Sequence, residues 1–133
     1  MNKTISEFAK FCDVGVETIR YYQREGILDT PARGNAFSPG RIRRYGDKDI
    51  HRLQFILSAK KAGFTLKEIK QLLELDAKNN RERVRNMAEQ RIAKLDAQIT
   101  EFKKARESLY HLVKECKKAS LTPCPILVAF EPK

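Results

Sequence analysis

Thr4-Ile5-Ser6-Glu7-Phe8-Ala9-Lys10-Phe11-Cys12-Asp13-Val14-Gly15-Val16-Glu17-Thr18-Ile19-Arg20-Tyr21-Tyr22-Gln23-Arg24-Glu25-Gly26 is the stretch on which the fold turns. Thr4, with Glu7 three residues on, has the spacing of a capping box, in which hydroxyl and carboxylate each take up a backbone N–H that the first helical turn leaves unpaired. Ile5, Phe8, Ala9 and Cys12 then recur at i, i+3, i+4 and i+7, the period of a helix with one apolar face. Asp13-Val14-Gly15 breaks that pattern. A second helix is expected from about Val16 to Glu25, closed by Gly26 at a position that favours a residue without a Cβ. Two short helices joined this tightly make a helix-turn-helix candidate.

In such a motif the second helix enters the major groove, so its exposed polar residues carry the functional reading. Ile19 and Tyr22, three apart, belong to the buried side, which leaves Thr18, Arg20, Tyr21 and Arg24 to face DNA. An arginine there bridges phosphates or forks onto a guanine edge. Downstream, Pro31, Gly34, Pro39, Gly40 and Gly46 exclude a helix between Asp29 and Gly46. The same segment holds Arg33, Arg41, Arg43 and Arg44, with no acid after Asp29 and with Tyr45 following. It reads as a loop or small β wing that lies along a phosphate backbone, each neutralised phosphate adding affinity by counterion release.

Asp47 is expected to cap a helix to about Ala62, with Ile50, Leu53, Phe55, Ile56 and Leu57 on its apolar face. Gly63 stops it, and Thr65 with Glu68 repeats the capping-box spacing at the start of a helix through Leu75. From about Arg81 to Glu115 there is neither Gly nor Pro. Ala88, Ile92, Leu95, Ile99, Phe102, Leu109, Val113 and Cys116 follow 4-3 spacing there, interrupted only by Arg106. A helix of that span runs roughly 50 Å at about 1.5 Å per residue. It overhangs any core the preceding residues could build, and a second copy of the chain supplies the missing partner, giving a twofold homodimer. The fold expected is mainly α: a winged helix-turn-helix DNA-binding domain over 1–76, a coiled-coil dimerisation helix over 77–115, and a short C-terminal loop and tail over 116–133.

Composition narrows the function. Lys plus Arg number 27 against 17 Asp plus Glu, a formal charge of +10 over 133 residues, which calls for a polyanionic partner. Nucleic acid fits better than a membrane, because no run of about 18 apolar residues exists and Met1-Asn2-Lys3-Thr4 opens no apolar targeting segment, so a cytoplasmic protein is expected. An enzyme is not expected: there is no phosphate-binding glycine loop and no His-Glu-x-x-His.

Three cysteines, an odd number, argue against a disulfide scaffold. Cys12 lies on an apolar stripe and reads as core. Cys116 closes the long helix and Cys124 follows it inside Pro123-Cys124-Pro125, where the prolines restrict the chain that presents the sulfur. Two thiolates on the limbs of a short loop form a candidate site for a soft ion, Cu(I), Ag(I), Hg(II) or Zn(II). The same pair also reads as a cap on the core or as a disulfide. His111, five residues before Cys116, falls on a different helical face, and His51 carries no chemistry that the sequence argues.

Glu17-Thr18-Ile19-Arg20-Tyr21-Tyr22 with Gly26-Ile27-Leu28, then Arg43-Arg44-Tyr45-Gly46, then Leu53-Gln54-Phe55-Ile56 and Gly63-Phe64-Thr65-Leu66-Lys67-Glu68-Ile69, resemble the successive signatures of the MerR family of transcription regulators. The resemblance spans about residues 4 to 116 and extends loosely to the tail. It implies a winged helix-turn-helix domain, a long antiparallel coiled-coil dimerisation helix and a C-terminal metal-binding loop at 116–133, in a homodimer that binds double-stranded promoter DNA between elements spaced too far apart and, with effector bound, distorts that DNA so that RNA polymerase can use it. It also implies that Arg20, Tyr21, Arg43 and Tyr45 grip the DNA backbone. The segment between Leu28 and Arg43 is a few residues longer than in mercury-resistance regulators.

Metal-sensing members place two cysteines at the positions of Cys116 and Cys124. In mercury- and zinc-type members a third cysteine comes from the start of the partner's dimerisation helix, where an ungapped comparison puts Arg81. Two thiolates alone suit the linear two-coordination that Cu(I), Ag(I) and Au(I) prefer and Hg(II) accepts, and leave tetrahedral Zn(II) short of ligands. A cation at Arg81 repels a divalent ion more than a monovalent one. The effector expected is therefore a coinage metal first, copper or silver, and Hg(II) second. Two other functions compete: a thiol/disulfide redox regulator, with Lys114, Lys117 and Lys118 depressing a thiol pKa, and an architectural nucleic-acid-binding coiled coil without effector.

Overall fold

The computed structural model describes residues 2–32, 42–118 and 123–132, which form two compact units, Met1–Val84 and Arg85–Lys133. Of the expected DNA-binding residues, Arg41 lies outside the described residues, as do Arg33, Gly34, Pro39 and Gly40 of the expected wing.

The first unit opens with α1, Ile5–Phe11, and α2, Val16–Arg24. The capping box at Thr4 is present: Glu7 N donates to Thr4 Oγ1 at 3.2 Å and Thr4 N donates to Glu7 Oε1 at 2.8 Å. Those two bonds to Thr4, backbone first, hold the Glu7 carboxyl below its ordinary range. Between the helices Asp13 takes a positive φ of 56°, so the chain reverses within four residues. Gly26, just past the end of α2, has φ of 80°, as its position predicts.

Helix α3, Asp47–Lys61, starts one residue earlier in its cap than expected. Gly46, not Asp47, is the N-cap, and its N–H is taken by Asp49 Oδ2 at 2.9 Å. The buried residues of α3 are Ile50, Leu53 and Ile56, at three-residue intervals. Phe55, expected on that face, points away and is 36% exposed, because position 55 lies about 100° around the helix from 56. Helix α4, Leu66–Ala77, follows the second capping box, in which Thr65 and Glu68 exchange bonds of 2.9 and 3.2 Å.

Phe8, Ile19, Tyr22, Tyr45, Leu53, Ile56 and Ile69 form the heart of the core, one or more from each of α1 to α4 and one from the segment before α3. Each buried side chain of this size contributes about 1.5–3 kcal/mol. Cys12 packs against the edge of this core, as expected, and burial pushes its thiol pKa up. Among the described residues there is no strand, only an isolated antiparallel bridge between Lys3 and Tyr45 with both N–H···O distances at 2.8 Å.

Helix α5, Arg81–Lys118, has 38 residues and buries none of them. The stripe read from the sequence is open: Ile92, Ile99 and Phe102 are 56%, 50% and 73% exposed, with Leu109 and Val113 also exposed. The second unit ends with α6, Pro125–Phe130, which sequence reading left as tail. No helix among the described residues is long and apolar enough to cross a membrane.

Gly26 can be tested directly. Nothing lies within 4 Å of where a Cβ would stand, so only the positive φ opposes a side chain there. Gly26→Ala should destabilise the protein by about 1–2 kcal/mol in denaturant unfolding, and Gly26→Asn by less, since asparagine tolerates the left-handed region.

Candidate nucleic-acid interface and candidate thiol site

The packing of α2 decides which of its side chains are free. Ile19 and Tyr22 are buried as expected, which turns Arg20, Tyr21 and Arg24 outward; Thr18 is half-buried. Arg20 Nη1 meets Glu17 Oε1 at 3.2 Å with both side chains mostly exposed, a surface pair that competes weakly with a phosphate. Three expected contact residues therefore share one accessible helix face.

The segment before α3 departs from expectation at Tyr45. Its side chain is 1% exposed, with its ring 4.9 Å from that of Phe8 and its hydroxyl receiving Gln23 Nε2 at 3.0 Å. The exposed grip expected of Tyr45 is corrected: it is a core residue that holds the segment in place. Arg43 is half-buried and spends its Nε on the Pro31 carbonyl at 3.0 Å, leaving its terminal nitrogens uncommitted to that bond, while Arg44 is exposed.

Gln23 and Arg52 were not singled out in the sequence. Gln23 Nε2 also donates to the Asp29 carbonyl at 3.3 Å, and Arg52 Nε donates to the Ile27 carbonyl at 2.9 Å. Together with Arg43 they tie both ends of the segment that joins α2 to α3. Such bonds run to backbone carbonyls 6 to 25 residues away, and no local pattern announces them.

Within the second unit, Cys116 near the end of α5 and Cys124 before α6 bring their sulfurs to 3.7 Å, each half-buried. Their chemistry is unequal. A hydrogen bond joins the two sulfurs, either of which can donate, and this contact raises the pKa of Cys116 and helps lower that of Cys124. The larger cause at Cys124 is backbone: it is the N-cap of α6, and without closing a geometric cap bond the N–H groups of Leu127 and Ile126 stabilise its thiolate. These shifts trace to backbone N–H groups and to the partner sulfur, not to Lys114, Lys117 or Lys118. Among the described residues no group of three His, Cys, Asp or Glu side chains is placed to hold a metal, so the pair stands as a two-sulfur site. His111 is exposed, and Arg81 is the exposed first residue of α5.

The separation carries geometric information. Two metal–sulfur bonds of about 2.3 Å span about 3.8 Å at a tetrahedral angle and about 4.6 Å when collinear. At 3.7 Å the two sulfurs are in hydrogen-bond contact, near the bent span and short of the collinear one.

Residues 3–76 match the family model described as MerR HTH family regulatory protein, and residues 50–112 match that described as MerR, DNA binding. Over 131 residues the chain is 37% identical to the mercuric resistance operon regulatory protein of Serratia marcescens, covering 98% of this chain and 88% of that one. It is similar to the crystal structure of the transcription regulator PbrR691 from Ralstonia metallidurans CH34 in complex with lead(II), with a TM-score of 0.71 and 30% identity, covering 97% and 99% of the two chains. It is also similar to HiNmlR, a MerR family regulator lacking the sensor domain and bound to promoter DNA, with a TM-score of 0.63 and 26% identity, covering 92% and 98%.

The inequality of the thiols yields a measurable order. Since the thiolate is the nucleophile, brief treatment with iodoacetamide near neutral pH should label Cys124 ahead of Cys116 and of the core thiol Cys12. Peptide mapping reads the order, and Cys116 labelled first would contradict the lowered pKa of Cys124.

Proposed function

This chain belongs to the MerR family of helix-turn-helix regulatory proteins, and from that premise we propose that it is a metal-responsive transcription regulator in which the first unit holds double-stranded promoter DNA and the Cys116–Cys124 pair holds a soft metal ion. The observation that carries the reading is the 3.7 Å approach of two sulfurs in a chain otherwise built to bind DNA. Thiolates select soft ions over the hard cations of the cytoplasm.

On the DNA side, Thr18, Arg20, Tyr21 and Arg24 enter or flank the major groove, while Arg41, Arg43 and Arg44 take phosphates. Tyr45 acts through position, by holding Arg43 and Arg44 against the end of α2. The formal charge of +10 supplies the long-range attraction. The protein acts as a cytoplasmic homodimer through the open stripe of α5, and reaches RNA polymerase through the shape of the promoter, not by catalysis.

For the metal, a two-thiolate donor set favours monovalent Cu(I), Ag(I) or Au(I), and Arg81 in place of a third thiolate adds a cost for a divalent ion. A linear complex requires the sulfurs to part by about 0.9 Å, a side-chain movement at two half-buried residues. Hg(II) is the second reading, supported by the 37% identity to a mercuric resistance regulator.

Cys116→Ser and Cys124→Ser should each retain promoter binding in a gel shift while losing metal-dependent induction of a reporter. Induction that survives both changes would sink the metal reading and leave an effector-independent DNA binder. Ile99→Glu places a charge on the open stripe and should convert dimer to monomer in sedimentation; an unchanged dimer would mean that α5 pairs by another face.

A further inference from the structure

The sulfur pair has a feature that a bare metal ion does not exploit. At 3.7 Å the two sulfurs are within reach of a single bent centre, and among the described residues no third donor joins them. A simple thiophilic ion with a bent geometry asks for three or four ligands, so two sulfurs leave it incomplete. A centre that brings its own third bond is complete with two.

We infer that the Cys116–Cys124 pair is also a binding site for monosubstituted trivalent arsenicals, compounds in which As(III) already carries one carbon substituent. This rests on the proposed function only in taking the two sulfurs as one site. Pyramidal As(III) forms two bonds to sulfur at a bent angle, its lone pair occupies the fourth direction, and the product is neutral. No additional protein ligand and no counter-charge are required. Val113, one helical turn before Cys116, and Leu127, three residues after Cys124, are 39% and 66% exposed, so the helices that carry the two cysteines also offer accessible apolar side chains to an organic substituent.

The reaction is a ligand exchange without redox change. The hydrated arsenical, R–As(OH)2, loses both hydroxides as two As–S bonds form. Each hydroxide leaves with one thiol proton, giving two waters, and arsenic stays in the +3 state. The first sulfur makes the second exchange intramolecular, and an effective concentration of that kind raises affinity about 10²–10⁴-fold over a single thiol.

Reduced full-length protein is treated with one equivalent of phenylarsine oxide and followed by intact mass spectrometry. Adducts are challenged with excess 2-mercaptoethanol and then with 2,3-dimercaptopropanol. Wild type and Cys12→Ser should keep one phenylarsenic group through the monothiol and release it only to the dithiol. Cys116→Ser and Cys124→Ser should release it at monothiol concentrations about 10²-fold lower or less; the alanine variants repeat the test if circular dichroism shows that serine disturbs the helix. A wild-type adduct stripped by the monothiol as readily as the single variants, or one that persists in either variant, would overturn the inference. Silver(I) titration of the same protein separates the two readings. Silver retained without a stable arsenical adduct removes this inference alone, and loss of both removes the paired site.

Discussion

Four pieces of the first unit meet at Tyr45. Its ring lies on Phe8 of α1, its hydroxyl receives Gln23 of α2, its backbone pairs with Lys3, and the next residue caps α3. A buried tyrosine hydroxyl without a partner costs free energy comparable to a lost hydrogen bond, so Gln23 and Tyr45 fix each other. Arg43 and Arg44 are attached two residues and one residue upstream of that anchor. Their position relative to the exposed face of α2 is therefore set by core packing, and the basic segment is held at its roots by Gln23, Arg43 and Arg52. A basic segment anchored in this way has less conformational entropy to lose on meeting a polyanion than a free loop of the same charge.

The thiol site shows the opposite economy. Its two sulfurs come from a helix end and a helix start, and the asymmetry between them comes from the backbone. Pro125 at the first position of α6 has no N–H, so the donors facing Cys124 are those of Ile126 and Leu127. The flanking proline thus both limits the chain and determines which amides reach the sulfur. The backbone amides lower the pKa of Cys124 while the neighbouring sulfur raises that of Cys116, so the two thiols are unequal before any ligand arrives.

Local signals in the sequence were legible and distant ones were not. The capping boxes at Thr4 and Thr65 and the left-handed Gly26 are decided within three or four residues, and each was read correctly. The long helix and its apolar stripe were legible from period alone. Phe55 was misassigned because a run of Phe55, Ile56 and Leu57 is apolar all round and does not declare which side is buried. Tyr45 was read as surface because its partners, Phe8 and Gln23, lie far away in the sequence. Helix α6 escaped because Pro125-Ile126-Leu127-Val128-Ala129-Phe130 is a short apolar run without helical alternation, behind a proline that reads equally as loop.

A sensor of this design is constrained by linkage. For an ion at the sulfur pair to change what the promoter does, it must bind more tightly when the DNA is in one shape than in another, because an effector with equal affinity for both states shifts neither. The relation is reciprocal: DNA held in the active shape must tighten the thiol site by the same factor by which the ion favours that shape. Couplings of this kind amount to about 1–3 kcal/mol, comparable to one buried side chain. The switch therefore needs no wholesale refolding. A change of that size is within reach of a half-buried sulfur pair that parts by less than an ångström, provided the helix carrying one of the sulfurs is itself packed; and α5, with no buried residue along its 38, obtains that packing in the proposed homodimer.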